Sequence, residues 1–186
     1  MMSLLKQAAI GVLCGLLFVS GFGMEKMVGE GKWSVLDVRA CDNPGQYRDR
    51  VTVQRRKLNR THDVFDGSFD LKELIDNDTA IRLECCKYVD GGCKPFQQIN
   101  DRCFCCFAKE QGGDNFAEVL SAAGLDPPDC PLPVGAYDIY DFLMDYDSLP
   151  EEGFFGKFEA KIFAVKDFVD TACLSLTVEF NELDDE

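Results

Sequence analysis

Cysteine is the residue type with the most chemistry to offer in this chain. Ten occur among 186 residues. Cys14 sits in an apolar N-terminal run, and the others are Cys41, Cys85, Cys86, Cys93, Cys103, Cys105, Cys106, Cys130 and Cys173. Such residues either hold a metal or form disulfides. The cluster between Cys85 and Cys106 shows no paired knuckle spacing, and His62 is the sole histidine, so a tetrahedral zinc site is disfavoured and no metal is expected. Density of this kind in a secreted chain reads as disulfides. The number left after Cys14 is odd, so one thiol stays free or joins two chains, giving a monomer or a dimer through that cysteine. The neighbours Cys85 and Cys86, and Cys105 and Cys106, should each reach different partners, because a bond between adjacent cysteines strains the peptide.

Other chemistries find less support. His62 lies beside Asp63 in a polar turn. No GxSxG elbow, HExxH pair or phosphate-cradling glycine loop occurs. The run DFLMDYD (residues 141–147) resembles calcium ligands but lacks the glycine and terminal glutamate of an EF-hand loop. Carboxylates are abundant, yet no spacing singles out a catalytic pair. The expectation is a protein that is not an enzyme and has no cofactor.

The N-terminus supplies the compartment. Lys6 is the positive charge of a signal-peptide n-region, residues 8–19 are its apolar core, and residues 20–23 are small enough for cleavage. The expected signal peptide is 1–23, with an uncleaved anchor as the alternative. Residues 24–186 then form a single domain with an acidic C-terminal tail, secreted or extracellular, with the lysosome as the other destination. A hydrophobic content of 46% and a charged content of 28% fit neither disorder nor a fibrous repeat. The net charge of −14 excludes nucleic acid as a natural partner and opposes adsorption to anionic membranes, allowing transient membrane contact at most. One stretch is basic: Arg48, Arg50, Arg55, Arg56, Lys57 and Arg60. It is either a strand laid beside acidic neighbours or a site for a lipid phosphate or a sialic-acid headgroup.

The elements that would position these groups are mostly strands. Leu36, Val38 and Ala40 alternate with polar residues, as do Phe65, Gly67, Phe69 and Leu71. The same holds for Ile81, Leu83 and Cys85, for Phe158, Ala160, Ile162 and Ala164, and for Ala172, Leu174, Leu176, Val178 and Phe180. Period-two patterning with one polar face predicts antiparallel strands covering a core on one side, hence an all-β sandwich or barrel. One short helix is predicted after Asp114 or Asn115, with Phe116, Val119, Leu120 and Ala123 as a packing stripe and Gly124 beyond its end. Residues 93–106 have no clear period and read as a disulfide-bound loop, with or without a helical turn. Asn59 and Asn77 stand in N-x-T sequons at turn-like strand ends, where an oligosaccharide would face water.

Several motifs in order resemble the ganglioside-activator branch of the ML superfamily, the lipid-recognition β-sandwiches related to myeloid differentiation protein 2. They are Cys130, Pro131, Gly135 and Tyr137; Leu149, Pro150, Gly156 and Phe158; a lone Cys173 on the last strand; Trp33 with Cys41; and the Cys86–Cys93 spacing. The pattern is most similar to uncharacterised secreted arthropod members. The resemblance implies an immunoglobulin-like antiparallel sandwich with a lipid cavity between its sheets. It also implies bonds Cys41–Cys173 and Cys86–Cys93, and a bond from Cys130 to one of Cys103, Cys105 or Cys106. Cys85 would bond into the same loop. Cys173 falls on the polar parity of its strand, so its bridge should lie outside the core or at its rim.

By this resemblance the cavity would be lined by Phe69, Leu71, Ile81, Leu83, Phe158, Ile162, Leu174, Leu176 and Val178, unless the sandwich is closed and these are ordinary core. Phe154 and Phe155 would be a wedge at the cavity mouth, or one of them a core plug. Glu151 and Glu152 make that loop less membrane-seeking than the activator's. Trp33 reads as an edge packing residue. The leading function is a secreted lipid-binding or lipid-transfer protein for an acyl-chain ligand: fatty acid, phospholipid, glycolipid or a sterol-like molecule. The alternatives are an activator that presents glycolipid to a lipid hydrolase in an acidic compartment, and a chemosensory or immune module that binds a receptor.

Overall fold

The computed structural model describes residues 27–59 and 62–183. The expected signal peptide, Arg60, Thr61 and the last three residues of the acidic tail lie outside that range. The described chain runs β1 (Val28–Ala40), β2 (Arg50–Lys57), β3 (Asp63–Leu71), β4 (Ala80–Val89), β5 (Gly92–Asp101), α1 (Phe104–Gly112), α2 (Asp114–Ala122), β6 (Gly135–Leu143), β7 (Glu152–Phe154), β8 (Gly156–Lys166) and β9 (Val169–Glu182).

The strands form two antiparallel sheets, a six-stranded one in the order β5-β4-β8-β9-β1-β7 and a three-stranded one in the order β2-β3-β6. The architecture is the all-β sandwich that the alternation predicts. Among the described residues it has two helices rather than one. Residues 93–106 are not a loop: their first part is the edge strand β5, paired with β4 through a turn at Gly91 and Gly92, where φ is +91° and +107°. Lys94, Pro95, Gln97 and Gln98 are exposed, so this strand carries no apolar alternation and is held by its backbone.

A bulge corrects the reading of β1. Val35 pairs with Val178 and Asp37 with Thr177, leaving Leu36 as the extra residue. An extra residue reverses the facing of everything before it. Val35 and Val38 therefore share the core, where they pack with Phe65, Val53 and the inward side of β9.

At one end of the sandwich the sheets are held by a buried polar cluster. Arg55 Nη2 lies 3.0 Å from Asp63, and Arg55 Nη1 donates to the Leu36 carbonyl at 2.9 Å, crossing between sheets. The Tyr146 hydroxyl donates to Asp63 at 3.1 Å. Burial above all, with Asp63 adding to it, pushes the Tyr146 phenol up to about 12.

On the outer face of the large sheet, Cys41 and Cys173 are bonded, each 5% exposed, and packed with Phe163 and Tyr47. The bridge is on the polar parity of β9, as its position predicts, but it is buried in a small second core rather than at a rim. Ser175 and Thr177 on the same face are only 1% and 6% exposed. In register beside them stand Arg39, Glu159 and Lys161 of the flanking strands. Period two thus separates polar from apolar on this central strand without separating wet from dry.

Candidate functional site

Three structural units converge on an apolar cavity. The small sheet contributes Phe69, Leu71, Tyr137 and Ile139; the ends of β8 and β9 contribute Ile162, Ala164, Ala172 and Leu174; and the helices contribute Phe104, Ala108, Phe116, Val119, Leu120 and Ala123. The cavity measures about 250 Å³. Its walls include the buried residues Leu71, Ile75, Leu120 and Leu132, which cluster with Cys105 behind them. The Tyr137 hydroxyl donates to the Pro133 carbonyl at 2.8 Å, so it is already satisfied. An occupant would be selected by apolar shape, with any polar head left outside.

The helices are placed here by local chemistry. Cys103 caps α1, and the Phe104 N–H donates to the Thr79 carbonyl at 2.7 Å. Cys105 bonds to Cys130, tying α1 to the strand-entry segment beyond α2. Asn115 does not cap α2, whose N-cap is Gly113. Its side chain is buried, donates to the Asp145 carbonyl and Ser148 Oγ at 2.7 Å each, and accepts from the Asp145 N–H at 2.8 Å. The stripe Phe116, Val119, Leu120 and Ala123, read from sequence as plain packing, faces the cavity. These are the site residues that periodicity alone missed; the stripe was visible, but what it faces was not.

Of the side chains expected to line a cavity, Phe69, Leu71, Ile162 and Leu174 do so. Leu176 and Val178 lie further along β9 and pack with Val35, Val38 and Phe65. Ile81 pairs with Ala164 and is buried, Leu83 pairs with Ile162, and none of Ile81, Leu83 and Phe158 is in the cavity wall. The cavity occupies one end of the sandwich, roofed by the helices, instead of its whole length.

The expected mouth is at the other end. Phe155 stacks on Phe180 with centroids 5.6 Å apart, and Phe180 is 0% exposed. Gly31 and Gly153 make room for that ring, since a Cβ on either would meet a Phe180 carbon at 2.9 Å. Phe155 is thus half-buried against the core ring of Phe180. Phe154 is 40% exposed and meets Phe96 edge-on at 5.1 Å, and Phe96 in turn lies 5.3 Å from Phe158. Trp33 packs 4.6 Å from Phe180 and donates to the Pro150 carbonyl at 2.8 Å, consistent with an edge packing residue.

At the cavity end, the β8–β9 hairpin turns through Asp167 and Phe168, both with positive φ, at +51° and +64°. Two-residue turns of this kind favour asparagine and glycine. Here a phenylalanine stands fully exposed at the tip. Lys166 donates to the Leu74 carbonyl at 2.9 Å and lies 3.2 Å from Asp76, clasping the hairpin to the loop after β3.

The remaining expectations fall as follows. The bonds Cys41–Cys173, Cys86–Cys93 and Cys105–Cys130 form, and Cys86–Cys93 closes a hairpin rather than a loop. Cys103 pairs with Cys106, which leaves Cys85 free and corrects its assignment to the loop. Burial pushes the Cys85 thiol above its ordinary value. In the basic stretch, Arg48 pairs with Glu73, Arg55 with Asp63, and Arg56 with Asp66 and Asp141, so these residues are neutralised by acids beside them. Asn59 and Asn77 are exposed, while Thr79 of the second sequon is buried with its hydroxyl donating to Asp76 at 3.3 Å. Among the described residues no cluster of His, Cys, Asp and Glu is arranged to hold a metal ion, and no helix is long and apolar enough to cross a membrane.

A second cleft over β4 and β5 is larger, about 520 Å³, but mixes Cys85, Cys86, Pro95 and Phe96 with the polar Glu84, Gln97, Gln98, Glu159 and Lys161. Size favours it and chemistry does not, because an apolar occupant gains from apolar contact rather than volume. The helix-roofed cavity is the candidate site. No protein-family model matches the chain, and no curated protein is detectably similar to it.

Proposed function

We propose that this protein carries a hydrophobic small molecule in the helix-roofed cavity, as a secreted member of the ML lipid-recognition superfamily. The carrying observation is an apolar cavity of about 250 Å³ whose one phenol is already hydrogen-bonded inside the wall. The bonds Cys41–Cys173 and Cys86–Cys93, named by the resemblance, and Cys105–Cys130, one of the three it left open for Cys130, support the same reading, and so does their suitability to an oxidising compartment.

Volume sharpens the ligand class. At roughly 30 Å³ per water-sized group, such a cavity holds about eight carbons. At about 0.8 kcal/mol per methylene, burying them contributes about 6 kcal/mol, comparable with the lower estimates of the association cost. A single chain, a chain end or a compact ring system suits this site. The two tails of a glycolipid do not, unless the sheets spread. That favours the carrier over an activator presenting gangliosides to a hydrolase. N-glycans at Asn59 and Asn77 belong to the same proposal, since both side chains are exposed.

The test is native mass spectrometry of the protein secreted from eukaryotic cells, followed by solvent extraction. A co-purifying or exchangeable hydrophobic molecule at near-unit stoichiometry is the expected result. Consistent absence of any such molecule, together with no binding of a fluorescent fatty-acid probe, would sink the carrier reading.

A further inference from the structure

One disulfide is built differently from the other three. Cys103 and Cys106 are bonded across a separation of 3 residues, at the first turn of α1. Among the described bonded cysteines, Cys106 alone is exposed, whereas Cys41, Cys173 and Cys105 are buried and Cys86, Cys93, Cys103 and Cys130 are half-buried. Cys103 is the N-cap, and its Sγ accepts the Cys106 N–H at 3.1 Å. We propose that Cys103–Cys106 is a thiol-exchange site, a C-x-x-C disulfide that accepts two electrons from two external thiols while the rest of the fold stays intact.

Each part of the geometry has a chemical consequence. Exchange begins when an external thiolate attacks a disulfide sulfur, and access selects Cys106 for that attack. The S–S bond breaks, and its electron pair leaves on Cys103 Sγ. A thiolate there lies at the positive end of a nine-residue helix and already faces a backbone N–H, both of which stabilise a leaving thiolate. A second external thiol then attacks the mixed disulfide at the external sulfur and releases Cys106. In sum, two external thiols become one disulfide, and Cys103 and Cys106 become two thiols, with the two protons passing to them.

The structure also makes the loss inexpensive. A disulfide stabilises mainly by restricting the unfolded chain, and the shortest loop restricts it least. Cys41–Cys173 spans 132 residues and Cys105–Cys130 spans 25. Cys105 of the latter is buried beside Leu71 and Leu120, so the bond keeps α1 anchored when its neighbour opens. The Phe104 and Phe107 N–H groups keep their backbone acceptors, Thr79 and Cys103. Free Cys85 is a poor internal reductant, since burial raises its thiol and it lies on β4. The electrons must come from outside.

The experiment uses the intact secreted protein and reduced glutathione as the thiol. Aliquots are quenched with an alkylating reagent, digested and mapped by mass spectrometry, with far-ultraviolet circular dichroism recorded in parallel. Cys103 and Cys106 should be labelled at least ten-fold faster than Cys86 and Cys93, before any loss of the β-sheet signal, and glutathione should be found transiently on Cys106. Opening of Cys86–Cys93 at an equal or faster rate, or opening only as the sheet signal collapses, overturns the proposal. As a second measurement, Cys106→Ser leaves Cys103 as a free thiol. Its alkylation rate should rise with pH at a midpoint below the ordinary thiol value of about 8.5. A midpoint at or above that value overturns the leaving-group argument. If that variant does not fold, the labelling order in the wild-type protein decides alone.

Discussion

Lys166 and Asp76 form the clasp that closes the cavity end of the sandwich, with Nζ 3.2 Å from Oδ1 and the same ammonium donating to the Leu74 carbonyl. Burial works against the Asp76 charge, but Lys166 and the Asp78 N–H outweigh it and hold the carboxyl below its ordinary value. A depressed carboxyl contributes stability above its unfolded value of about 3.9 and loses it as pH falls through the lower folded value. The clasp should therefore be intact in an acidic compartment near pH 5. Asp76→Asn should cost about 1 kcal/mol at pH 7 and at pH 5 alike, discounted because both groups are partly exposed. The gap between wild-type and variant melting temperatures should shrink toward zero near pH 3, and thermal scans across pH check it.

Filling the cavity should abolish carriage without unfolding the protein. Val119→Trp points a large side chain into the space, and Ala108→Phe does so from the neighbouring helix. Overpacking costs about 1–3 kcal/mol where no space exists, and less where a cavity receives the added atoms. Binding of a fluorescent fatty-acid probe should fall at least ten-fold, with the melting temperature of the empty protein unchanged or raised. Undiminished binding would move the ligand elsewhere, to the polar cleft first.

The exposed Phe168 should serve transfer rather than binding. It stands at the tip of the hairpin whose strands line the cavity through Ala164 and Ala172. Phe168→Asn relieves an unfavourable positive φ and removes the apolar tip. The variant should be as stable as wild type or slightly more so. Equilibrium binding should hold, and the rate of probe transfer from neutral phosphatidylcholine vesicles should drop several-fold. Stopped-flow transfer measurements separate the two quantities.

Removing the Cys41–Cys173 bridge should cost the most of any single disulfide. It closes 132 residues and sits in a buried cluster with Phe163 and Tyr47. The double change to alanine should destabilise by about 2–5 kcal/mol, read by urea denaturation. The same change at Cys103 and Cys106 should cost markedly less.

The Arg55–Asp63–Tyr146 cluster predicts a different asymmetry. Arg55→Leu strands a carboxylate that is 7% exposed, at a cost of about 3–5 kcal/mol. Replacing Asp63 as well should recover much of the loss. Tyr146, raised to about 12, contributes stability below its unfolded value of about 10, and that contribution disappears as pH rises toward 12. Tyr146→Phe should flatten this alkaline limb of the stability profile.

The sandwich was legible because its strands are amphipathic. Residues 172–180 declare their inward side through Leu174, Leu176 and Val178, whatever they pack against. Strand β5 was illegible because an edge strand needs only backbone partners, and its side chains touch little. The bulge at Leu36 was illegible because one extra residue leaves the composition unchanged while putting Val35 rather than Leu36 inward beside Val38. The helix stripe from Phe116 to Ala123 was legible as apolar, but an apolar face looks the same whether it meets a side chain or a void.

Sequence alone thus determined which strands are amphipathic, which thiols are available to bond, and the sign of the net charge. Those properties belong to single residues and to local period. Tertiary structure decided that Cys103 closes on Cys106 and leaves Cys85 free, and that Phe155 stacks on Phe180 while Phe168 protrudes. It also decided that the open volume lies under α1 and α2 instead of along the full sheet interface. Those outcomes depend on distances between segments remote in the chain, which follow from how two twisted sheets and a helical pair settle against one another.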